Sequence, residues 1–246
     1  MKGFSFDSFE AIIFDLDSTL TDTNAYPIRA SEWLLSQFLP NPSEMLSDYI
    51  MELVRNYRAE LKEIVQGAPY KTPYNVVKDA MRTTVEVLEF PVSEDLIERA
   101  TQHFKQLHID MSDMMPGAEE LVSTLHASGI RMGVVTNSFE GHADIILEDL
   151  GVAKYFISTV DGSDVEAYKP MKQPFECSLE RLGSTAEDTL MIGDEFLADI
   201  VGAFSVGLTT VWVNLRERNL DVLMTKHGGI SPDLVVDSLE ELMSFV

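Results

Sequence analysis

The sequence predicts an α/β protein, a Rossmann-like parallel sheet interrupted early by an all-helical insert. Three observations carry this. Short, wholly apolar runs alternate with helical patterns through most of the chain. Roughly 90 residues directly after the first run hold helical periodicity only. Acidic residues stand at the ends of two apolar runs, where open α/β sheets bind ligands.

Taken in order, Ala11-Ile12-Ile13-Phe14 reads as a buried strand, followed by strands at 131–136, 189–193, 209–213 and 234–236. Helical stretches at 118–128, 141–150, 174–182 and 198–206 lie between them, as parallel strands require. The insert spans 23–111 and holds helices near 27–39, 43–66, 74–89 and 93–108. Pro40, Pro42, Gly67, Pro69, Pro73 and Pro91 punctuate them. The expected domains are therefore an α/β core from 1–22 and 112–246, and a helical cap from 23–111.

Composition narrows the function classes. The 246 residues are 45% hydrophobic and 24% charged, ordinary for a globular chain. No apolar run approaches the roughly 18–20 residues that span a bilayer, and the N-terminus lacks a secretory stretch. A cytoplasmic enzyme is expected. The lone Cys177 excludes an intrachain disulfide and a cysteine zinc cage, and reads as a packed side chain. A formal charge of −23 repels nucleic acid and anionic membranes. It would repel a phosphorylated metabolite as well, unless a cation or placed lysines reverse the sign locally.

Four segments carry chemistry. Asp15 and Asp17 follow the first strand, and alternation along an extended chain would turn both to the ligand edge. Two such close like charges call for a divalent cation or for different protonation states. Asp194 ends the 189–193 strand and Asp199 follows five residues on; as oxygen donors, the acids suit magnesium. Thr136, Asn137 and Ser138 end the second strand with hydroxyl and amide donors for a phosphoryl oxygen. Lys169 stands before Pro170, which restrains its backbone for a fixed reach toward an anion. Each alone has a plainer reading, as helix caps, turn acids or a surface lysine.

In this order, Asp15-Leu16-Asp17-Ser18-Thr19, Thr136-Asn137, Lys169-Pro170 and Gly193-Asp194 with Asp199 resemble the haloacid dehalogenase superfamily. The similarity is to its phosphatase branch with an inserted helical cap, including phosphoglycolate phosphatase- and β-phosphoglucomutase-like members. The resemblance implies Asp15 as nucleophile and Asp17 as the acid and base that serves the leaving oxygen and then water. It implies phosphate binding by Thr136, Asn137 and Lys169. Magnesium would be held by the Asp15 carboxylate, the Asp17 carbonyl and Asp194, with Asp199 orienting metal waters or Lys169. Ser18 departs from the pattern, in which glycine is more frequent, and Asp17 argues against the dehalogenases that named the superfamily.

The expected activity is magnesium-dependent hydrolysis of a small phosphorylated metabolite by a monomer or homodimer. Two rivals are a phosphomutase of the same superfamily and a non-catalytic phosphate-sensing module. A phosphonate-cleaving hydrolase would need a Schiff-base lysine, for which Lys62, Lys71 and Lys78 are the cap candidates. Arg55, Arg58 and Lys62 share helical spacing and read first as a solvated face.

Overall fold

A computed structural model describes residues 4–246. The chain divides into two compact units, Met1–Asp22 with Asp113–Val246, and Thr23–Ser112. In the first unit, β1 (Ala11–Phe14) leads to a short β2 (Thr21–Asp22), where the chain departs. It returns through β3 (Asp113–Met114), which pairs antiparallel with β2. The second unit holds α1 (Ala25–Ser36), α2 (Leu46–Val65), α3 (Pro73–Val87) and α4 (Glu94–Asp110).

The α/β unit then continues with α5 (Ala118–Ala127), β4 (Arg131–Val135), α6 (His142–Asp149), β5 (Ser158–Val160), α7 (Gly162–Val165) and α8 (Lys172–Leu182). After β6 (Thr189–Gly193) come a π-helical turn (Phe196–Val201) and α9 (Gly202–Val206). The chain closes with β7 (Thr209–Val213), α10 (Leu220–Lys226), β8 (Leu234–Val236) and α11 (Leu239–Leu242).

Among the described residues, six parallel strands form one sheet in the order β5-β4-β1-β6-β7-β8. Central β1 is buried along its whole length, which is why its sequence is a continuous apolar run rather than an alternation. Its Phe14 is level with Val134 of β4 and Ile192 of β6. Strand order runs outward from β1 in both directions, so the topological switch point lies beside it. The carboxyl ends of β4, β1 and β6 therefore border the crevice where this architecture takes ligands.

Each of the five expected strands is present, and β5 is a sixth that the apolar pattern did not disclose. It is a three-residue edge strand with two half-buried members, too short and too polar for a buried run. The helix expected at 198–206 is instead a π-helical turn joined to a short α-helix. At that junction Gly202 permits close packing: a Cβ there would lie 2.8 Å from the Phe175 ring and 2.9 Å from Pro170 Cα.

The helical unit is built by amphipathic pairing and local caps. Thr72 and Ser93 cap α3 and α4 through their hydroxyls, and Pro73 starts α3 where a missing N–H costs nothing. Buried Asn56 on α2 donates to Thr84 Oγ1 on α3 at 3.0 Å. Lys71 bridges Glu60 and Asp79 at 2.6 and 2.8 Å, while Lys78 and Arg82 tie α3 to Glu94 and Glu98 of α4. Those two lysines are thus committed to carboxylates inside the unit. No helix among the described residues is long and apolar enough to cross a membrane.

Candidate active site

Three adjacent strand tips deliver the chemistry. Asp15 follows β1, Thr136 follows β4 and Asp194 follows β6; all three are buried. The ladder extends one residue past each of the first two strands, since Asp15 N donates to Ile192 O and Thr136 N to Val160 O, both at 2.9 Å. Both side chains are therefore placed by sheet hydrogen bonding rather than by a free loop.

Beyond Asp15 the extended chain stops. Leu16 O accepts from the backbone N–H of Leu20 and Thr21 at 2.9 and 3.0 Å, and from Thr21 Oγ1 at 3.2 Å. The two-residue spacing of Asp15 and Asp17 therefore runs from the strand end into the turn, and the charge of Asp17 still reaches Asp15, whose carboxyl it helps to raise. Asp17 belongs to a tight turn and bridges to Thr21, because a carbonyl at the strand end collects the donors of the next turn. Ser18 closes that turn at φ 62°, a left-handed conformation that costs a non-glycine residue roughly 1–2 kcal/mol.

Lys169 is the local counter-charge. It is 3% exposed, and its Nζ lies 2.6 Å from Asp15 Oδ1, 2.6 Å from Val135 O and 2.8 Å from Asp199 Oδ1. Its loop, which includes a cis Lys169–Pro170 peptide, is fixed by Asn137. The Asn137 side chain accepts from Lys169 N at 2.8 Å and donates to Lys169 O at 3.0 Å. Both polar atoms of the Asn137 side chain thus hold the backbone of Lys169. Thr136 Oγ1 donates to Ser138 Oγ at 3.0 Å and accepts from Ser138 N at 3.1 Å.

Asp199 sits on the π-helical turn, where Glu195 N donates to its Oδ2 at 2.9 Å. Gly193 makes room for it: a Cβ on residue 193 would stand 2.6 Å from Asp199 Cβ. We therefore expect Gly193→Ala to push Asp199 off Lys169, costing about 1–3 kcal/mol in stability and at least tenfold in turnover. Thermal melts and steady-state rates check this; a variant with wild-type turnover would show that the Asp199–Lys169 contact is dispensable.

The carboxylates of Asp15, Asp194 and Asp199 offer oxygens all within 4.8 Å of one another, against one lysine in direct contact. Burial pushes the Asp15 carboxyl up to about 7; Lys169 opposes this, while Asp199 and Asp17 add to it. Burial pushes Asp194 up to about 9, reinforced by the charges of Asp15, Asp199 and Glu195 and opposed by Arg216. Asp199 is raised by burial against the pull of Lys169. Burial alone would lower Lys169, but Asp15 and Asp199 outweigh it and hold the ammonium charged. An all-oxygen cluster with excess negative charge that resists ionisation suits a hard divalent cation.

Residues to which the sequence analysis gave no role also border the cluster: Thr19, quoted there only as part of the first motif, and Arg216 and Arg218, which it did not single out. Thr19 Oγ1 donates to Asp15 Oδ2 at 3.1 Å, so both nucleophile-candidate oxygens are held. Arg216 and Arg218, in the loop after β7, reach Asp194 and Glu195. Their signal was available only through strand order, since β7 lies beside β6 and its tip faces the same crevice edge. In the helical unit, an open groove of about 530 Å³ is lined in part by Trp33 and His103, whose rings are 4.7 Å apart, and contains none of the strand-tip acids.

The fold thus gathers three buried carboxylates at the strand tips of an α/β unit. The chain belongs to the haloacid dehalogenase-like hydrolases, whose family model matches residues 12–213. It is similar to pyrimidine 5'-nucleotidase YjjG of Escherichia coli, 33% identical over 52% of this chain and 54% of that protein. A phosphoglycolate phosphatase of Salmonella paratyphi A is 24% identical over 96% of this chain and 92% of its own. Among solved structures, the HAD-hydrolase YfnB of Bacillus subtilis, bound to magnesium, superposes with a TM-score of 0.78. It is 26% identical and covers 96% of this chain and 97% of its own.

Proposed function

We propose that the protein is a magnesium-dependent phosphatase that hydrolyses a small phosphate monoester through an aspartyl-phosphate on Asp15. The observation that carries this reading is a buried carboxylate at a central strand tip, 2.6 Å from a buried lysine and beside two further buried acids. Phosphoryl transfer needs little covalent help from a protein and much positioning and charge neutralisation. The phosphatase names of relatives that align along most of this chain support the same class.

In the first step Asp15 attacks phosphorus, an Asp15 O–P bond forms and the ester P–O bond breaks, while Asp17 gives its proton to the departing oxygen. In the second, Asp17 takes a proton from water, water oxygen bonds to phosphorus, and the Asp15 carboxylate and inorganic phosphate are released. Lys169 and the Thr136 hydroxyl hold phosphoryl oxygens, the hydroxyl turning from Ser138 to do so. Asn137 keeps Lys169 in place, and Asp199 fixes the direction of its ammonium. Magnesium, held by the carboxylates of Asp15 and Asp194 and the carbonyl of Asp17, would neutralise charge shared by nucleophile and substrate. Because these groups lie on the α/β unit, we assign substrate choice to the helical unit Thr23–Ser112, as the family's cap.

The test is phosphate release from p-nitrophenyl phosphate and a panel of metabolite monoesters, with magnesium or with EDTA. Release that stops in EDTA supports the reading. Isomerised sugar phosphate without free phosphate would replace it by the mutase.

Metal binding should also be visible without turnover. Asp15 and Asp194 have folded values near 7 and 9 against the usual 3.8, so the metal-free folded state binds more protons than the unfolded one between about pH 4 and 9. Its stability contribution from these groups therefore falls as pH rises through that window. A dication displaces those protons and binds the ionised pair, so the rise in Tm caused by magnesium should be larger at pH 8.5 than at pH 5.5. Equal increments at the two pH values would contradict the ligand assignment.

A further inference from the structure

The loop after β7 carries two arginines that the proposed chemistry leaves unused. Arg216 is half-exposed, yet its guanidinium reaches three groups at the site. Nη1 donates to Glu195 Oε1 at 2.9 Å, and Nη2 lies 3.4 Å from Asp194 Oδ2 and donates to Ser18 Oγ at 3.5 Å. Glu195 is held from its other oxygen by Arg218 Nη1 at 3.1 Å. Arg218 also donates through Nη2 to Asp194 O, which accepts from Trp212 Nε1 at 2.8 Å too. The arginine loop is braced from within, because the Asn214 side chain accepts from Arg218 N at 2.9 Å and donates to Arg218 O at 3.0 Å.

Asp194 is therefore fixed twice, at its carbonyl by Trp212 and Arg218 and at one carboxylate oxygen by Arg216. Arg216 also touches Ser18, the residue after Asp17. Resting on the reading of Asp194 as a magnesium ligand, we propose that Arg216 is a positioning residue. It holds Asp194 Oδ2 so that Oδ1 is presented to the cation, and ties that ligand to the turn carrying Asp17, with Glu195 and Arg218 as its buttress. A planar fork presents donors from separate nitrogens in fixed directions and so can hold two spaced acceptors in a set geometry, whereas an ammonium offers its donors from a single nitrogen on a flexible stem.

Orientation and simple charge predict effects of opposite sign. If Arg216 acted only as a nearby cation, removing it would deepen the negative potential and tighten magnesium binding. If it orients the ligand, removal weakens binding, by about tenfold on the usual scale for groups that hold a metal ligand in place. Titration calorimetry of magnesium into the metal-free wild type, Arg216→Ala and Arg216→Lys measures this directly, with thermal melts to establish folding.

We expect weaker binding in both variants, with kcat falling and KM for p-nitrophenyl phosphate changing less than kcat. Binding in Arg216→Ala as tight as wild type or tighter overturns the proposal, as does full recovery in Arg216→Lys, which would show that charge without the fork suffices. A wild type that binds no magnesium would instead overturn the reading of the site on which the proposal stands. The calorimetry therefore separates the two failures.

Discussion

Asp15→Asn should abolish magnesium-dependent phosphate release while leaving the fold intact. The amide is nearly isosteric: its oxygen can still accept from Lys169, and its NH2, which cannot accept, can donate to Thr19 Oγ1 with the hydroxyl turned. What it cannot do is attack phosphorus, and loss of a covalent nucleophile in comparable enzymes costs on the order of 10⁴-fold or more in kcat. The stability outcome has the opposite sign. Burial is the largest influence on Asp15 and raises its pKa to about 7, so above that pH its charge costs the metal-free folded state something the unfolded state does not lose. A permanently neutral Asn removes that cost. The metal-free variant should therefore melt at or above the wild-type temperature at pH 8, and gain less from magnesium. Turnover that survives the substitution would remove Asp15 from the role of nucleophile.

The residues behind this prediction were legible in the sequence because strand tips are. β1 and β6 are buried on both faces and read as apolar runs, so the first acid after each, Asp15 and Asp194, stands out against them. Lys169 was legible only in company, since a buried lysine and a surface lysine look alike until Asp15 and Asp199 are seen around it. Asn137 looked like a ligand donor because it follows Thr136. That its side chain holds the backbone of Lys169, 32 residues on, is a tertiary fact with no local trace.

The unreadable parts share a cause. β5 is held by pairing with β4 and not by its own apolar content, so Ser158–Val160 carries no run to detect. Arg216 and Arg218 flank Glu217 in a charged loop that resembles solvated surface. Only the adjacency of β7 to β6, together with the indole of Trp212 on Asp194 O, turns that loop toward the site. Local spacing could show where the chain changes direction, but strand order decided which turns meet.

Strand order also explains why a chain of formal charge −23 can keep a lysine at the centre of its acidic cluster, and it sets the effect of removing that lysine. Lys169→Met keeps much of the stem's volume and deletes the ammonium. Asp15 and Asp199 then lose their shared partner while both remain buried, and breaking a buried pair from one side costs roughly 3–5 kcal/mol. In a protein of this size that is a fall in Tm on the order of 10 °C without metal. The two acids answer by holding protons to still higher pH, so the destabilisation should shrink as pH is lowered and the carboxyls are neutralised. Magnesium should recover part of the lost stability by replacing the missing charge. It should not recover the rate, because Lys169 Nζ is also the donor proposed for a phosphoryl oxygen, and losing one such donor costs roughly 10²–10³-fold. A Lys169→Met protein with wild-type Tm in EDTA would mean that the cluster does not depend on its ion pair. One that regained full turnover with magnesium would mean that phosphate is held elsewhere.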